Sequence, residues 1–236
     1  MRIKNKKRKY TLIAIIFMFS FSLFADWHIE YEDLSAPQKG RTAIFVKGGV
    51  VAVSDDQRTL VYFAATDSII YESKILHAYW EGPGSEFLNI LKRLDTKPAA
   101  GSEFSNASIE KTDERERLSG YECERYNVVS DSQTVAVFYR ASQISILDSA
   151  AMQRFLTLIK LMDFGFDDGF LPPEIFFENG LILKKIIYGK SGNSVDLEAV
   201  AVDTVDLDPA IFAPSPTFNL LTAEEILSAE KMQEGN

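Results

Sequence analysis

Short apolar runs with short separators between them follow one another from residue 42 to residue 73. Each run is rich in β-branched and aromatic residues, and two to four residues separate one run from the next, which is the spacing of β-hairpins. The separators are Gly48-Gly49, Asp55-Asp56 and Ala65-Thr66. The four strands predicted in this way cover residues 42–47, 50–54, 59–64 and 67–73.

The same pattern returns in the second half of the chain. The strands predicted there cover residues 121–129, 134–140, 181–189 and 195–207. In the last of these runs the apolar phase shifts near Ala199-Val200, which predicts a β-bulge or a strongly bent strand. Because hairpins follow one another without crossover helices, the pattern predicts an antiparallel sheet.

Three stretches have the spacing of helices instead. GSEFLNILKRL (84–94) places its apolar residues on one side of a helix, with Ser85 as a candidate N-cap. A second apolar stripe can begin after Asp148 or Ser149 and comprises Met152, Phe155, Leu156, Ile159 and Met162. In the C-terminal tail, Thr222 and Glu225 have the spacing of a capping box, which predicts a short amphipathic helix.

The amino terminus has the pattern of a secretory signal peptide. Six basic residues precede an apolar run from Leu12 to Phe24, and Ala25 ends it. This run is shorter than the ~20 residues that a membrane-spanning helix needs. We therefore expect residues 1–25 to be a signal peptide that is cleaved after Ala25, and the protein to be periplasmic. An uncleaved N-terminal anchor is the alternative. Residues 26–220 then form a single domain and residues 221–236 a tail.

Charge argues against two kinds of partner. The chain has 25 basic and 34 acidic residues, and cleavage would remove six of the basic ones, leaving 19 against 34, a net charge near −15. Nucleic-acid phosphates and anionic membrane surfaces repel such a protein. We therefore expect no nucleic acid among its partners.

Cys123 is the only cysteine in the chain, so it has no disulfide partner. A reactive thiolate needs a positive neighbourhood, whereas Glu122 and Glu124 flank this residue. We interpret Cys123 as a core residue, and a redox or nucleophilic role as the less favoured alternative.

The strand around Cys123 also carries a resemblance. Gly120, Tyr121, Cys123, Glu124, Arg125 and Tyr126 match a Gly-Tyr-Lys-Cys-Glu-Lys-Tyr-like strand, and Gly180 with Lys184 match a later Gly-x-x-x-Lys strand. Ile211, Phe212 and Pro214 match the family's ending, from which residues 215–218 depart. Over roughly residues 40–218 the chain resembles a family of exported bacterial envelope proteins related to the LolA/LolB-type lipoprotein carriers.

The resemblance implies an α+β fold, in which a strongly curved antiparallel sheet forms a half-barrel covered by helices. In the carriers, the space between sheet and helices holds acyl chains. The residues that would line such a space here are Phe45, Tyr62, Tyr71, Phe138, Tyr139, Met152, Phe155, Leu156 and Ile159. The alternative is that these side chains fill one another's gaps as an ordinary core.

Residues that would support catalysis are scarce. His28 and His77 are the only histidines, no Gly-x-Ser-x-Gly motif is present, and we place the carboxylate pair Glu114/Glu116 in a turn. We therefore expect no enzyme activity, no cofactor and no metal site. Two hypotheses remain: a periplasmic protein that binds an acyl chain of a lipid or lipoprotein, or an interaction module that docks on an envelope protein.

Overall fold

The computed structural model describes residues 26–33, 40–94, 107–144, 149–162, 180–188 and 194–234. The predicted signal peptide and its cleavage site lie outside the described residues. These six ranges contain all the helices and strands named below.

Twelve strands form one open sheet, in the spatial order β12-β6-β5-β4-β3-β2-β1-β11-β10-β9-β8-β7. All neighbours are antiparallel except β12 and β6, which are parallel. In chain order the strands are β1 (Trp27–Asp33), β2 (Arg41–Lys47), β3 (Val50–Ser54), β4 (Arg58–Phe63), β5 (Ser68–Ser73), β6 (Ala78–Pro83), β7 (Ser108–Leu118), β8 (Tyr121–Ser130), β9 (Gln133–Ala141), β10 (Leu181–Tyr188), β11 (Ser194–Thr204) and β12 (Asn219–Leu220).

The predicted strands are all present, and the predicted antiparallel pairing is confirmed. The bulge predicted near Ala199-Val200 is confirmed too, because Tyr31 pairs with Ala199 while Glu30 pairs with Ala201, so Val200 has no partner on β1. The prediction that Glu114 and Glu116 lie in a turn is wrong. Both belong to β7, whose run of charged residues lacks the alternation by which strands are recognised.

Three α-helices occur in the described ranges: α1 (Gly84–Leu94), α2 (Ser149–Met162) and α3 (Ala223–Glu234). All three were predicted. At α3 the capping box forms as expected, since the Glu225 amide donates to Thr222 Oγ1 at 3.3 Å and the Thr222 amide donates to Glu225 Oε2 at 2.9 Å. A short 3-10 helix, Pro209–Phe212, precedes β12.

The half of the sheet from β1 to β8 is strongly curled. In a flat sheet, four strand spacings of ~4.8 Å would separate β1 from β8. The rings of Trp27 on β1 and Tyr121 on β8 nevertheless lie 6.1 Å apart between centroids. The Ser119 hydroxyl, in the turn between β7 and β8, also donates to the Ala199 carbonyl on β11 at 2.9 Å. The structure is therefore an open, curved α+β sheet, which agrees with the predicted class at this coarse level.

Two apolar clusters lie against the sheet. The larger, which we call the inner cluster, joins the helices to one face of the sheet and includes Ile29, Leu60, Phe87, Phe155 and Ile226. The smaller, the outer cluster, consists of Ala52, Val61, Ile70, Leu207 and Phe212. Strand alternation separates the two, since Leu60 and Val61 are neighbours in β4 and point to opposite faces.

The outer cluster exists because residues 205–218, here called the strap, cross the second face of the sheet. Lys47 Nζ fixes the start of the strap by donating to the Leu207 carbonyl at 2.7 Å and to Asp206 Oδ1 at 3.0 Å. Farther along, the Ser215 amide donates to Glu72 Oε1 at 2.6 Å. The strap then leads through β12 to α3, which packs against the inner cluster.

Candidate functional site: the interior between sheet and helices

The two tyrosines of the predicted site lie on the inner face of β4 and β5. Tyr62 pairs with Ile69 across the two strands, and Leu60 pairs with Tyr71, so that all four side chains share one face. Both tyrosines are buried in the inner cluster. Residues two apart in a strand point to the same face, which is why Tyr62 lies with Leu60 and Tyr71 lies with Ile69.

Helix α2 covers this face with its apolar side. The buried side chains of the helix are Phe155, Leu156, Leu158, Ile159 and Met162. Phe155 is fully buried and its ring lies 6.5 Å from that of Tyr62 between centroids, with an angle of 24° between the planes. Sheet and helix are therefore in direct contact at this point.

Phe45 lies away from this interior. Its neighbours Ile44 and Val46 belong to the inner cluster, so alternation along β2 turns Phe45 to the opposite face. There it packs against the outer cluster and stacks on His28, with ring centroids 4.9 Å apart. The sequence shows Phe45 as an aromatic residue in a strand, but its face depends on which side of the sheet the helices cover.

Phe138 and Tyr139 are likewise separated by alternation. Phe138 is buried in the inner cluster and stacks on Tyr126 at 5.0 Å between centroids. The Tyr139 ring is only partly buried at the edge of the cluster, and Lys184 Nζ lies 5.9 Å from its centroid. The side chain of Met152 lies outside the described part of the structure. The inner cluster therefore unites six of the nine predicted residues: Tyr62, Tyr71, Phe138, Phe155, Leu156 and Ile159.

The β8–β10 part of the interior also contains two cations that the sequence analysis did not single out. Lys185 is 2% exposed and pairs with Phe138 across β10 and β9. The Arg140 guanidinium lies 5.2 Å from the Phe138 ring centroid and 5.0 Å from that of Tyr126. These contacts have the geometry of cation–π interactions. The sequence did contain a signal for Lys185. It follows Lys184 in a predicted strand, and because adjacent strand residues point to opposite faces, only one of the two lysines can face outward.

At the other end of the interior, the rings of Tyr71, Phe87 and Trp80 form an aromatic group. Phe87, on α1, lies 5.3 Å between centroids from both Tyr71 and Trp80. The Tyr71 hydroxyl donates to Glu230 Oε2 on α3 at 2.7 Å. Burial, and then the adjacent Glu230 carboxylate, raise the pKa of the Tyr71 phenol, so that this group stays protonated and remains a donor.

Cys123 is fully buried in the inner cluster, as predicted. Burial raises the pKa of its thiol to about 11. Its Sγ lies 3.6 Å from the carbonyl oxygen of Tyr121. A thiol with a raised pKa carries little thiolate near neutral pH, so the environment of Cys123 opposes nucleophilic chemistry.

A cleft of about 250 Å³ opens at the surface beside the aromatic group. It lies between the β3–β4 turn, the β5–β6 turn and α3, and it is lined by Gln57, Arg58, Ile75, Glu230 and Gln233. This polar cleft differs from the apolar cavity under α2 that the family resemblance implied. Its two charged side chains are positioned by other residues, because Asp55 Oδ2 lies 3.3 Å from Arg58 Nε and Glu230 accepts a hydrogen bond from Tyr71.

Comparison with known proteins shows only distant likenesses. No protein-family model and no curated protein matches the sequence. An uncharacterized conserved protein from Thermus thermophilus is similar over 89% of this chain and 98% of its own, with 8% identity and a TM-score of 0.42. MucB, in complex with MucA(peri), is similar over 84% of this chain and 56% of its own, with 12% identity and a TM-score of 0.33.

The LolA superfamily protein NE2245 from Nitrosomonas europaea is similar over 80% of this chain and 89% of its own, with 11% identity and a TM-score of 0.22. Similarities at this level establish neither a family nor a function for this chain. What stands is the architecture itself, an open antiparallel sheet with helices on its inner face. None of the three helices in the described ranges has the length and apolarity that a membrane-spanning segment needs.

Proposed function

We propose that this protein is an exported envelope protein that binds an acyl chain or a similar apolar ligand between the inner face of its sheet and α2. The observation that carries this proposal is the inner cluster, in which Tyr62 and Tyr71 of the sheet and Phe155 of the helix share one apolar interior. Aromatic and aliphatic side chains of this kind line most small-molecule sites. The protein acts by binding and performs no catalysis.

In the structure this interior is closed, because Phe155 and Tyr62 are in contact. Binding therefore requires α2 to move away from the sheet, and the ligand then takes the place of the side-chain contacts that are lost. Opening costs free energy, so the measured affinity reflects the population of the open form as well as the contacts with the ligand.

A substitution at Phe155 tests this function. Phe155→Asp places a charge where the acyl chain would lie, and we expect it to abolish uptake of a fluorescent fatty acid while the circular dichroism of the sheet is retained. If Phe155 is ordinary core, the buried charge will instead unfold the protein. Phe45→Asp is the matched control, because Phe45 is an aromatic residue on the opposite face of the sheet. It should leave uptake unchanged.

A second candidate function, docking on another envelope protein, is favoured by a different observation. Exposed apolar side chains are found in the β5–β6 turn, in and just after β12, and near the C-terminal end of α3: Ile75, Leu220, Leu221 and Met232. Leu220 is 60% and Met232 70% exposed. If the wild-type protein takes up no apolar probe, docking through these exposed side chains is the better explanation of its function.

A further inference from the structure

The cleft and the apolar interior meet at a single hydrogen bond. Glu230 lines the cleft, and its carboxylate accepts the hydroxyl proton of Tyr71, whose ring is fully buried. Tyr71 pairs with Trp80 across β5 and β6, and Phe87 of α1 lies 5.3 Å between ring centroids from each of them. The Tyr71 side chain therefore contacts a residue of the cleft through its hydroxyl and belongs to the inner cluster through its ring.

Charges of both signs face the cleft. Glu230 supplies a carboxylate, and Arg58 supplies a guanidinium whose Nε is held by Asp55 at 3.3 Å. The amides of Gln57 and Gln233 add donors and acceptors, and Ile75 adds one apolar side chain. A ligand group that carries a positive and a negative charge together matches this wall better than a simple anion does.

The volume of the cleft limits what it can hold. At about 250 Å³ it lies below the ~300–1,000 Å³ of sites that enclose whole drug-sized ligands. A headgroup fits it, but a complete lipid does not. The adjoining interior is where an attached acyl chain would go, and this step rests on the function proposed above.

We infer that the cleft between α3 and the β3–β4 and β5–β6 turns is the headgroup site for a zwitterionic amphiphile. The ammonium group faces Glu230 and the phosphate faces Arg58. The acyl chain passes Tyr71 into the inner cluster. The Tyr71–Glu230 hydrogen bond closes this passage when no ligand is present.

Competition between two amphiphiles with the same acyl chain tests the inference. Myristoyl lysophosphatidylethanolamine and myristic acid, both below their micelle concentrations, displace cis-parinaric acid from the full chain, and fluorescence gives the two dissociation constants. We expect the zwitterion to bind about fivefold more tightly, which is the upper range for one partly exposed ion pair. In Glu230→Gln this preference should disappear, although glutamine can still accept the Tyr71 hydrogen bond.

Glu224→Gln is the matched control, since Glu224 also lies on α3 but pairs with Arg93 of α1 and does not line the cleft. It should keep the fivefold preference. Equal binding of the two amphiphiles by the wild type, or a preference that survives Glu230→Gln, would overturn the headgroup site and leave acyl binding intact. If Glu224→Gln also loses the preference for the zwitterion, that preference depends on the overall charge of α3, and the headgroup site is overturned as well. If neither amphiphile displaces the probe, the proposed function and this inference both fail.

Discussion

The two ends of the sheet are stabilised in different ways. Strands β2–β6 are covered on both faces, by the helices on the inner side and by the strap on the outer side. Strand β7 is almost entirely exposed, and its side chains form ion pairs with those of β8 and β10. Burial therefore holds the first region together, whereas backbone pairing and surface charge hold the second.

The charges of β7 also protect the edge of the sheet. Lys111 Nζ lies 2.6 Å from Glu124 Oε1, Arg115 pairs with Glu122, and Glu114 pairs with Arg125. An edge strand with unpaired backbone groups invites association with other strands, and charged side chains oppose this. At the opposite edge, β12 is only two residues long and leads directly into the packing of α3.

The largest difference between the two regions should appear when apolar side chains are shortened. Leu60→Ala in β4 removes fully buried atoms, and we expect it to lower the free energy of unfolding by about 3 kcal/mol. Ile109→Ala in β7 removes a side chain that is 42% exposed, and we expect a loss below about 1 kcal/mol. Urea titrations of both variants measure the two losses in the free energy of unfolding. Equal losses would contradict the difference between the two regions.

The strap should contribute a smaller but distinct part of the free energy of unfolding. Phe212 fills the outer cluster over Ala52, Val61 and Ile70. We expect Phe212→Ala to cost about 2–3 kcal/mol, somewhat less than for a central core position because the strap lies at the surface and can relax. Thermal unfolding measures the cost. Fatty-acid uptake should stay intact in this variant, since the outer cluster lies on the opposite face from the proposed ligand. If Phe212→Ala loses uptake without losing stability, the outer cluster is not separate from the proposed ligand site.

Cys123 should matter for packing alone. We expect Cys123→Ala to lower stability by about 1–2 kcal/mol and to leave probe binding unchanged. Because burial raises the pKa of the thiol to about 11, native protein should react with thiol reagents only slowly between pH 6 and pH 8. Rapid labelling of folded protein at neutral pH would show that the thiol is accessible and that this assignment is wrong.

The smallest effect should come from acid acting on β7 and β8. Hydrogen bonds from Lys111 and Tyr126 hold the pKa of Glu124 below its ordinary value of 4.5. A depressed pKa in the folded state means that the stabilisation is present above the unfolded-state value and is lost as the pH falls through the folded-state value. Because this carboxylate is near the surface, the total change should stay below about 1 kcal/mol.

A pH series of urea titrations on wild type and Lys111→Met measures this contribution. The difference in stability between the two proteins should shrink as the pH falls below about 4.5. A constant difference from pH 7 to pH 3 would show that Glu124 does not mediate the effect of Lys111.

Much of the fold could be predicted from the sequence because local patterns determine it. Short β-branched and aromatic runs with hairpin-like spacing located β2–β5 and β8–β11, the phase shift at Val200 marked the bulge, and Thr222 with Glu225 marked the start of α3. Strand β7 could not be found in this way, because an exposed edge strand has no apolar face and pairs through its backbone. It is held by backbone pairing with β8, the next strand along the chain, and the residues of β7 alone do not show this.

The candidate site was predicted in its residue types but only partly in its geometry. Phe45 and Tyr139 are aromatic strand residues like Tyr62, yet the placement of the helices decides which face of a strand is interior. Glu230 and Lys185 were missed for different reasons. The role of Glu230 comes from its contact with Tyr71, which is far away along the chain and which no local pattern encodes. The phase of β10 could have placed Lys185 on the inner face, but its neighbour Phe138 is known only from the pairing of β10 with β9.

The most direct test of the proposed function is native mass spectrometry of the protein purified without detergent from its own cell envelope. We expect a population whose mass exceeds that of the polypeptide by one acyl-bearing ligand, and we expect this population to be lost in folded Phe155→Asp and retained in Phe45→Asp. The contradicting result is a wild-type sample that contains only the bare polypeptide, under conditions in which a known lipid carrier keeps its ligand. The interior between sheet and α2 would then not bind acyl chains.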